Sequence, residues 1–202
     1  MAQEILLIRH GETDSNAARV VQLPGAPLSA RGRDQARRLA LRLAAEARIR
    51  RLVSSDLTRA VETADAIAGA TGARVELEPL LQERNFGEYR GTPYRELTVD
   101  IFAPECAPVG GECGATFAAR VDRAWARIRE IAEETEGRVA VVTHGLVCHE
   151  LARRHLACEP DALPSSWGNT SVTVVAASQP WRILRLACTA HLEETVEPGG
   201  RA

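Results

Sequence analysis

There is no lysine in the 202 residues, and all 25 basic side chains are arginine. Two mechanisms are excluded with it. A P-loop needs its lysine on the phosphates, and Schiff-base catalysis needs an amine. A phosphate held by this chain is therefore held by arginine, histidine or backbone amides, and arginine's planar fork suits a phosphoryl group. Apolar runs of membrane-spanning length are also missing. No charged segment with an apolar stretch precedes the first strand, so no secretory signal is read. The five cysteines include no C-x-x-C pair. An odd, scattered set reads as free thiols in a reducing compartment, and the expected location is cytoplasmic. A formal net charge of -2 gives no reason to expect nucleic acid or an anionic membrane as partner. The 45% hydrophobic and 26% charged content is ordinary for a globular chain. A length of 202 residues suits one domain, 1–202.

What is present is organised around Ile5-Leu6-Leu7-Ile8, a short apolar run that stops abruptly at Arg9-His10-Gly11. Such a run reads as a buried strand of a parallel sheet. A cation and an imidazole at its carboxyl end stand where open α/β sheets bind ligands. Glycine there lets the backbone turn and come close to a bound group. The same arrangement recurs later: Arg138 to Thr143 is a buried strand ending in His144-Gly145.

Between these two strands the chain alternates. Ser29 offers an N-cap to a helix with Ala36, Leu39, Ala40, Leu43 and Ala47 inward. Arg51 to Ser54 reads as a second strand. Ser54-Ser55-Asp56 then offers caps to a helix with Leu57, Val61, Ala64 and Ile67 inward. Arg59 falls in its first turn, against the macrodipole, and an anion at the helix start would account for it. Gly72 ends that helix and Arg74 to Leu77 alternates as a third strand. Leu80 to Gly91 is too rich in Gly and Asn for regular structure. Thr92 to Thr116 reads as a mobile cover with little packing of its own. Phe117, Val121, Trp125, Ile128 and Ile131 mark a long helix with Trp125 in the core. After His144 a helix turns Val147, Leu151 and Leu156 inward. Residues 169–175 and 181–186 form a hairpin about Gln179-Pro180, and the tail from Glu193 is frayed. Strands alternating with helices give an α/β fold, a three-layer α/β/α sandwich.

Arg9-His10-Gly11-Glu12-Thr13 with Asn16, the segment Ser54 to Ala64 with Arg59, the loop with Glu83, Gly110-Gly111-Glu112, and His144-Gly145 together cover nearly the whole chain. They resemble the motifs of the histidine phosphatase (phosphoglycerate mutase-like) superfamily, in its phosphatase branch. The resemblance implies a phosphoglycerate mutase-like, mostly parallel mixed sheet that brings the strand ends at His10 and His144 together. It implies His10 as nucleophile, giving a phosphohistidine. Arg9, Arg59, Asn16 and Gly145 would bind the substrate, and His144, protonated with phosphate bound, would stabilise the phosphoryl group in transfer. Glu83 would protonate the leaving oxygen and then deprotonate water; by residue type alone Glu88 competes for that role. Cys113 stands where the family commonly has serine.

The implied partner is a small phosphomonoester, with no metal and no cofactor, and with homodimer formation left open. The alternatives are phosphoglycerate mutase-type phosphoryl transfer and a non-catalytic phosphate-binding regulator. A metallohydrolase is a weaker rival. His149-Glu150 begins like a zinc His-Glu-x-x-His helix, but Arg153 stands at the second ligand position. His149, His155 and His191 are read as structural or solvated. Against a mutase, the cover holds just one arginine, Arg95, to receive a second anionic group.

Overall fold

Six strands form one mixed sheet in the computed structural model, which describes residues 2–46, 48–159 and 162–193. They are β1 (Ala2–Arg9), β2 (Ile49–Ser54), β3 (Val75–Leu77), β4 (Gly137–Thr143), β5 (Val172–Ala176) and β6 (Ile183–Cys188). Their order is β3-β2-β4-β1-β5-β6. The four strands from β3 to β1 run parallel, while β5 lies antiparallel to β1 and β6 antiparallel to β5. The helices are α1 (Asp14–Ala17), α2 (Ala30–Glu46), α3 (Thr58–Thr71), α4 (Gly114–Glu134) and α5 (Gly145–His155).

The period-2 alternation of the strands decides the layers. Ile5 and Leu7 of β1, with Val139 and Val141 of β4, pack against α4 and α5 through Val121, Ile128, Val147 and Leu151. Leu6 and Ile8, with Ala140 and Val142, pack against α2 and α3 through Leu39, Leu43 and Ile67. Every residue from Ile5 to Ile8 is at most 1% exposed. Each such side chain stabilises the fold by roughly 1.5–3 kcal/mol relative to exposure. This is the α/β/α sandwich, and it leaves β1 and β4 adjacent at the centre, paired as far as Arg9 and Thr143.

Two local expectations shift. Ser54-Ser55-Asp56 does not cap α3: its N-cap is Leu57, with no side-chain hydrogen bond, and Ser55 Oγ merely accepts from the Leu57 N–H at 3.3 Å. The helix begins at Thr58, one to three residues later than those caps imply. Its buried face is accordingly Arg59, Ala60, Thr63, Ala64 and Ile67, with Val61 half-buried. The cover, in turn, has packing of its own. Ile101, Phe86 and Val21 are buried together, with Tyr89, Tyr94, Leu97 and Cys106 packed against them, and α4 already starts at Gly114. Cys113 is the N-cap residue of α4 without a capping bond; its Sγ lies 3.3 Å from Thr116 Oγ1. Trp125 is core, as its spacing implies, stacked on His155 at 5.8 Å and edge-on to Trp181 at 5.3 Å. Ala47 and the tail beyond Glu193 lie outside the described residues.

Candidate active site

β1 and β4 end side by side, and the sheet delivers one histidine from each. The His10 N–H donates to the Thr143 carbonyl at 2.9 Å, fixing one strand tip to the other. The His10 and His144 rings then stand 5.0 Å apart between centroids. α2 comes close to the turn after His10 only because two glycines meet there. A Cβ on Gly32 would sit 1.9 Å from the Glu12 carbonyl oxygen, and one on Gly11 would sit 2.6 Å from that of Gly32. Thr63 Oγ1 accepts the Gly11 N–H at 3.0 Å.

His10 is 1% exposed. Its Nδ1 lies 2.6 Å from the Gly11 carbonyl oxygen, which can only accept, so the proton sits on Nδ1. Nε2 is left with its lone pair, 3.3 Å from the Arg59 Nε–H. Burial, then the charges of Arg59 and Arg9, hold the His10 imidazole well below its ordinary 6.5. Arg59 is 2% exposed on the first turn of α3, and burial brings it down to about 10, still charged at neutral pH. It also donates to the Leu23 carbonyl at 3.2 Å. Arg9 donates to the Trp167 carbonyl. Two buried nitrogens, Arg9 Nε and His144 Nδ1, have no hydrogen-bond partner among the described residues. Unpaired buried polar atoms are rare, and each calls for a partner such as water, an ion or a ligand atom.

His144 is fully buried at the start of α5, its Nε2 held 2.8 Å from Ser55 Oγ. Burial, Arg59 and His10 keep it well below 6.5. Glu83 comes in from the loop beyond β3. Its Oε1 accepts the Arg84 N–H at 3.1 Å and its Oε2 the Leu146 N–H at 3.2 Å, yet burial dominates and raises its carboxyl above 4.5. Glu88, the competitor by residue type, instead accepts the Val109 N–H at 3.2 Å on an exposed loop. Asn16 closes the capping box of α1 and shares its Oδ1 with the Thr13 N–H and Asn169 Nδ2, leaving its Nδ2 donor for a ligand.

A cavity of about 530 Å³ opens over these groups, lined by Arg9, His10, Asn16, Arg59, Glu83 and Gly145. His144, fully buried, is not among the residues that line it. The Gly145 N-terminus of α5 needs no side chain there: a Cβ would meet Arg9 Nε at 3.5 Å, an ordinary contact.

Several contributors carry little signal in the chain. Ser55, Thr63 and the Trp167 carbonyl orient His144, Gly11 and Arg9 respectively. Arg120 of α4 pairs with Glu112 at 2.7 Å and donates to the carbonyls of Leu80, Gln82 and Glu83, clamping the Glu83 loop. Arg84 donates to the carbonyls of Ile101, Cys106 and Glu112 and so ties the cover to the same loop. The adjacency of Arg84 to Glu83 is the signal that could have found Arg84; Arg120 has none. Of the remaining histidines, His155 pairs with Asp122 at 2.8 Å, and His191 bonds Thr170 at 2.9 Å with burial taking it down to about 4. His149 lines the cavity, which its sequence position does not indicate. The zinc-helix reading loses Glu150 as well, since Arg153 binds it at 2.8 Å.

Two histidines, two arginines and a carboxyl group thus converge over parallel strand ends of an α/β sandwich. The chain belongs to the histidine phosphatase superfamily (branch 1), whose pattern matches residues 5–189. It is 36% identical to phosphoglycerate mutase-like protein 4 of Arabidopsis thaliana, over 95% of this chain and 88% of that protein. To the metal-independent phosphoserine phosphatase of the same plant it is 34% identical, over 94% and 83%. Among solved structures, mycobacterial glucosyl-3-phosphoglycerate phosphatase in complex with VO3 superimposes with a TM-score of 0.73 at 30% identity, covering 87% of this chain and 91% of that one. Among the described residues no helix is long and apolar enough to cross a membrane.

Proposed function

We propose that the protein is a metal-independent phosphomonoesterase acting on a phosphorylated metabolite through a phosphohistidine. The observation that carries this is the state of His10: neutral, with its proton committed to Gly11 and its Nε2 facing Arg59 on the cavity wall. A neutral imidazole is a competent nucleophile, and the neighbouring cations keep it neutral. Arg9, Arg59, Asn16 and the α5 N-terminus at Gly145 bind the non-bridging oxygens through charge-assisted bonds.

Nε2 attacks phosphorus as the ester P–O bond breaks, and Glu83, whose protonated form burial favours, delivers its proton to the departing alkoxide. Water then attacks the phosphohistidine, Glu83 takes the water's proton, and phosphate leaves with His10 restored. The dianion's arrival reverses the field at His144, which takes a proton and stabilises charge on the phosphoryl group in transfer. Hydrolysis rather than return of the group to an organic acceptor is favoured by the cover. Its one arginine, Arg95, pairs with Glu96 at 3.4 Å with both side chains exposed.

The test is a quench with labelled p-nitrophenyl phosphate after dialysis against EDTA. An acid-labile, base-stable phosphoenzyme should form, and His10→Ala should abolish it with at least a thousandfold loss of turnover. Activity of His10→Ala within about tenfold of the parent overturns the nucleophile. Activity restored only by added metal overturns metal independence. With 3-phosphoglycerate, isomerisation outrunning phosphate release identifies a mutase.

A further inference from the structure

The floor of the cavity accounts for the phosphoryl group and leaves the alcohol part of the ester unassigned. A phosphoryl group on a three-carbon acid fills little of 530 Å³, a volume within the range of pockets that enclose drug-sized ligands. What lines the rest is mostly apolar, with Pro24 and Leu146 on the wall beside a cluster of aromatic rings. Phe102 stands out among them. It lines the cavity and is 50% exposed, although its ring is held edge-to-face by Phe86 at 5.8 Å and by Tyr94 at 6.0 Å. Two neighbours therefore fix the ring while half of it faces no protein. A half-exposed ring held in place at a cavity wall offers apolar surface that a ligand can cover, and that burial favours binding.

We propose that this part of the cavity is a subsite for a flat apolar group, so that the ester accepted is that of an aryl-bearing alcohol. The reading rests on the phosphatase assignment for its chemistry but not for its binding. One wall residue points elsewhere: Arg90 lines the cavity, and a guanidinium there is a reader of a second anion. The aromatic cluster and the volume favour the aryl group, and a guanidinium is compatible with a ring beside it.

The experiment compares 2-phenylethyl phosphate with ethyl phosphate, which share a primary ester oxygen. Turnover is measured on the parent chain and binding, by calorimetry, on His10→Ala. The aryl ester should be preferred at least tenfold in both, an offset aromatic pair plus its buried area being of that order. Phe102→Ala should bring the aryl-to-ethyl ratio close to unity, mainly through KM, and Phe102→Trp should retain it. A ratio near unity in the parent overturns the subsite, as does a ratio that Phe102→Ala does not move. So does tighter binding of 3-phosphoglycerate than of the aryl ester, with that preference lost in Arg90→Gln. If none of the esters is turned over, the phosphatase assignment fails, while the binding ratio on His10→Ala still decides the subsite.

Discussion

His10 and His144 are at most 1% exposed and hang from the two central strands, whereas Phe102, on the wall of the same cavity, is half exposed on a segment whose core is three buried residues. The floor is held by the whole sheet, by close glycine contacts with α2 and by hydrogen bonds to its backbone. The cover is held by a small apolar cluster and by Arg84 reaching three of its carbonyls. Reaction geometry tolerates little error, so it belongs where many contacts over-determine position. Recognition of the leaving group needs less precision and can be supported by an element of low local stability. The two regions meet in the Glu83 loop, which Arg120 grips from the side of α4 and Arg84 joins to the cover.

The largest effect should come from the catalytic carboxyl group in the loop where the two regions meet. Glu83→Gln should slow hydrolysis of an alkyl phosphate on the order of 10²–10⁴-fold. With p-nitrophenyl phosphate, whose leaving group hardly needs a proton, the loss should be far smaller. Equal losses with both esters would make Glu83 a binding group.

Next is the tie between the regions. Arg84→Met removes three charge-assisted bonds to buried carbonyls and should destabilise the protein by about 2–4 kcal/mol. Limited proteolysis should then cut between Ile101 and Glu112 before global unfolding. A variant equally destabilised but cut nowhere in that segment would show that the cover does not depend on Arg84.

The smallest effect is on stability against pH. His10, His144 and His191 all have folded pKa values below 6.5, by burial first and then by neighbouring charge. Below that value the unfolded chain takes up protons that the folded chain refuses, so stability present above pH 6.5 is lost as pH falls. Glu83, raised by burial, acts in the opposite sense, as a single group. The melting temperature should fall steadily from pH 7 to pH 5, and less steeply in the His10→Asn, His144→Asn double variant. A flat profile in the parent would mean that the floor is more open to water than its burial implies.

Much of the floor was legible in advance, because apolar runs that end in Arg-His-Gly and His-Gly announce a buried strand and its tip without any tertiary information. The family resemblance then assigned Arg9, Asn16, Arg59 and Glu83, and the folded chain brings all of them to one cavity with His10. Ser55, Thr63 and Arg120 were not legible, since a hydroxyl or an arginine acquires its partner only when distant elements meet. The cover was misread for the same reason. Proline and glycine in the segment suggested little packing, but Ile101 is buried by Phe86 and Val21, which lie 15 and 80 residues away along the chain.

What the chain determined by itself was local and periodic: the central strands, the apolar faces of the helices, and the residue types able to hold a phosphate without lysine. Tertiary structure decided which hydroxyl orients each histidine, which carbonyls Arg84 and Arg120 clasp, and which aromatic ring is left uncovered on the cavity wall. Periodicity records only which face of an element is buried, whereas burial, pKa and hydrogen-bond partnership depend on which other element arrives there.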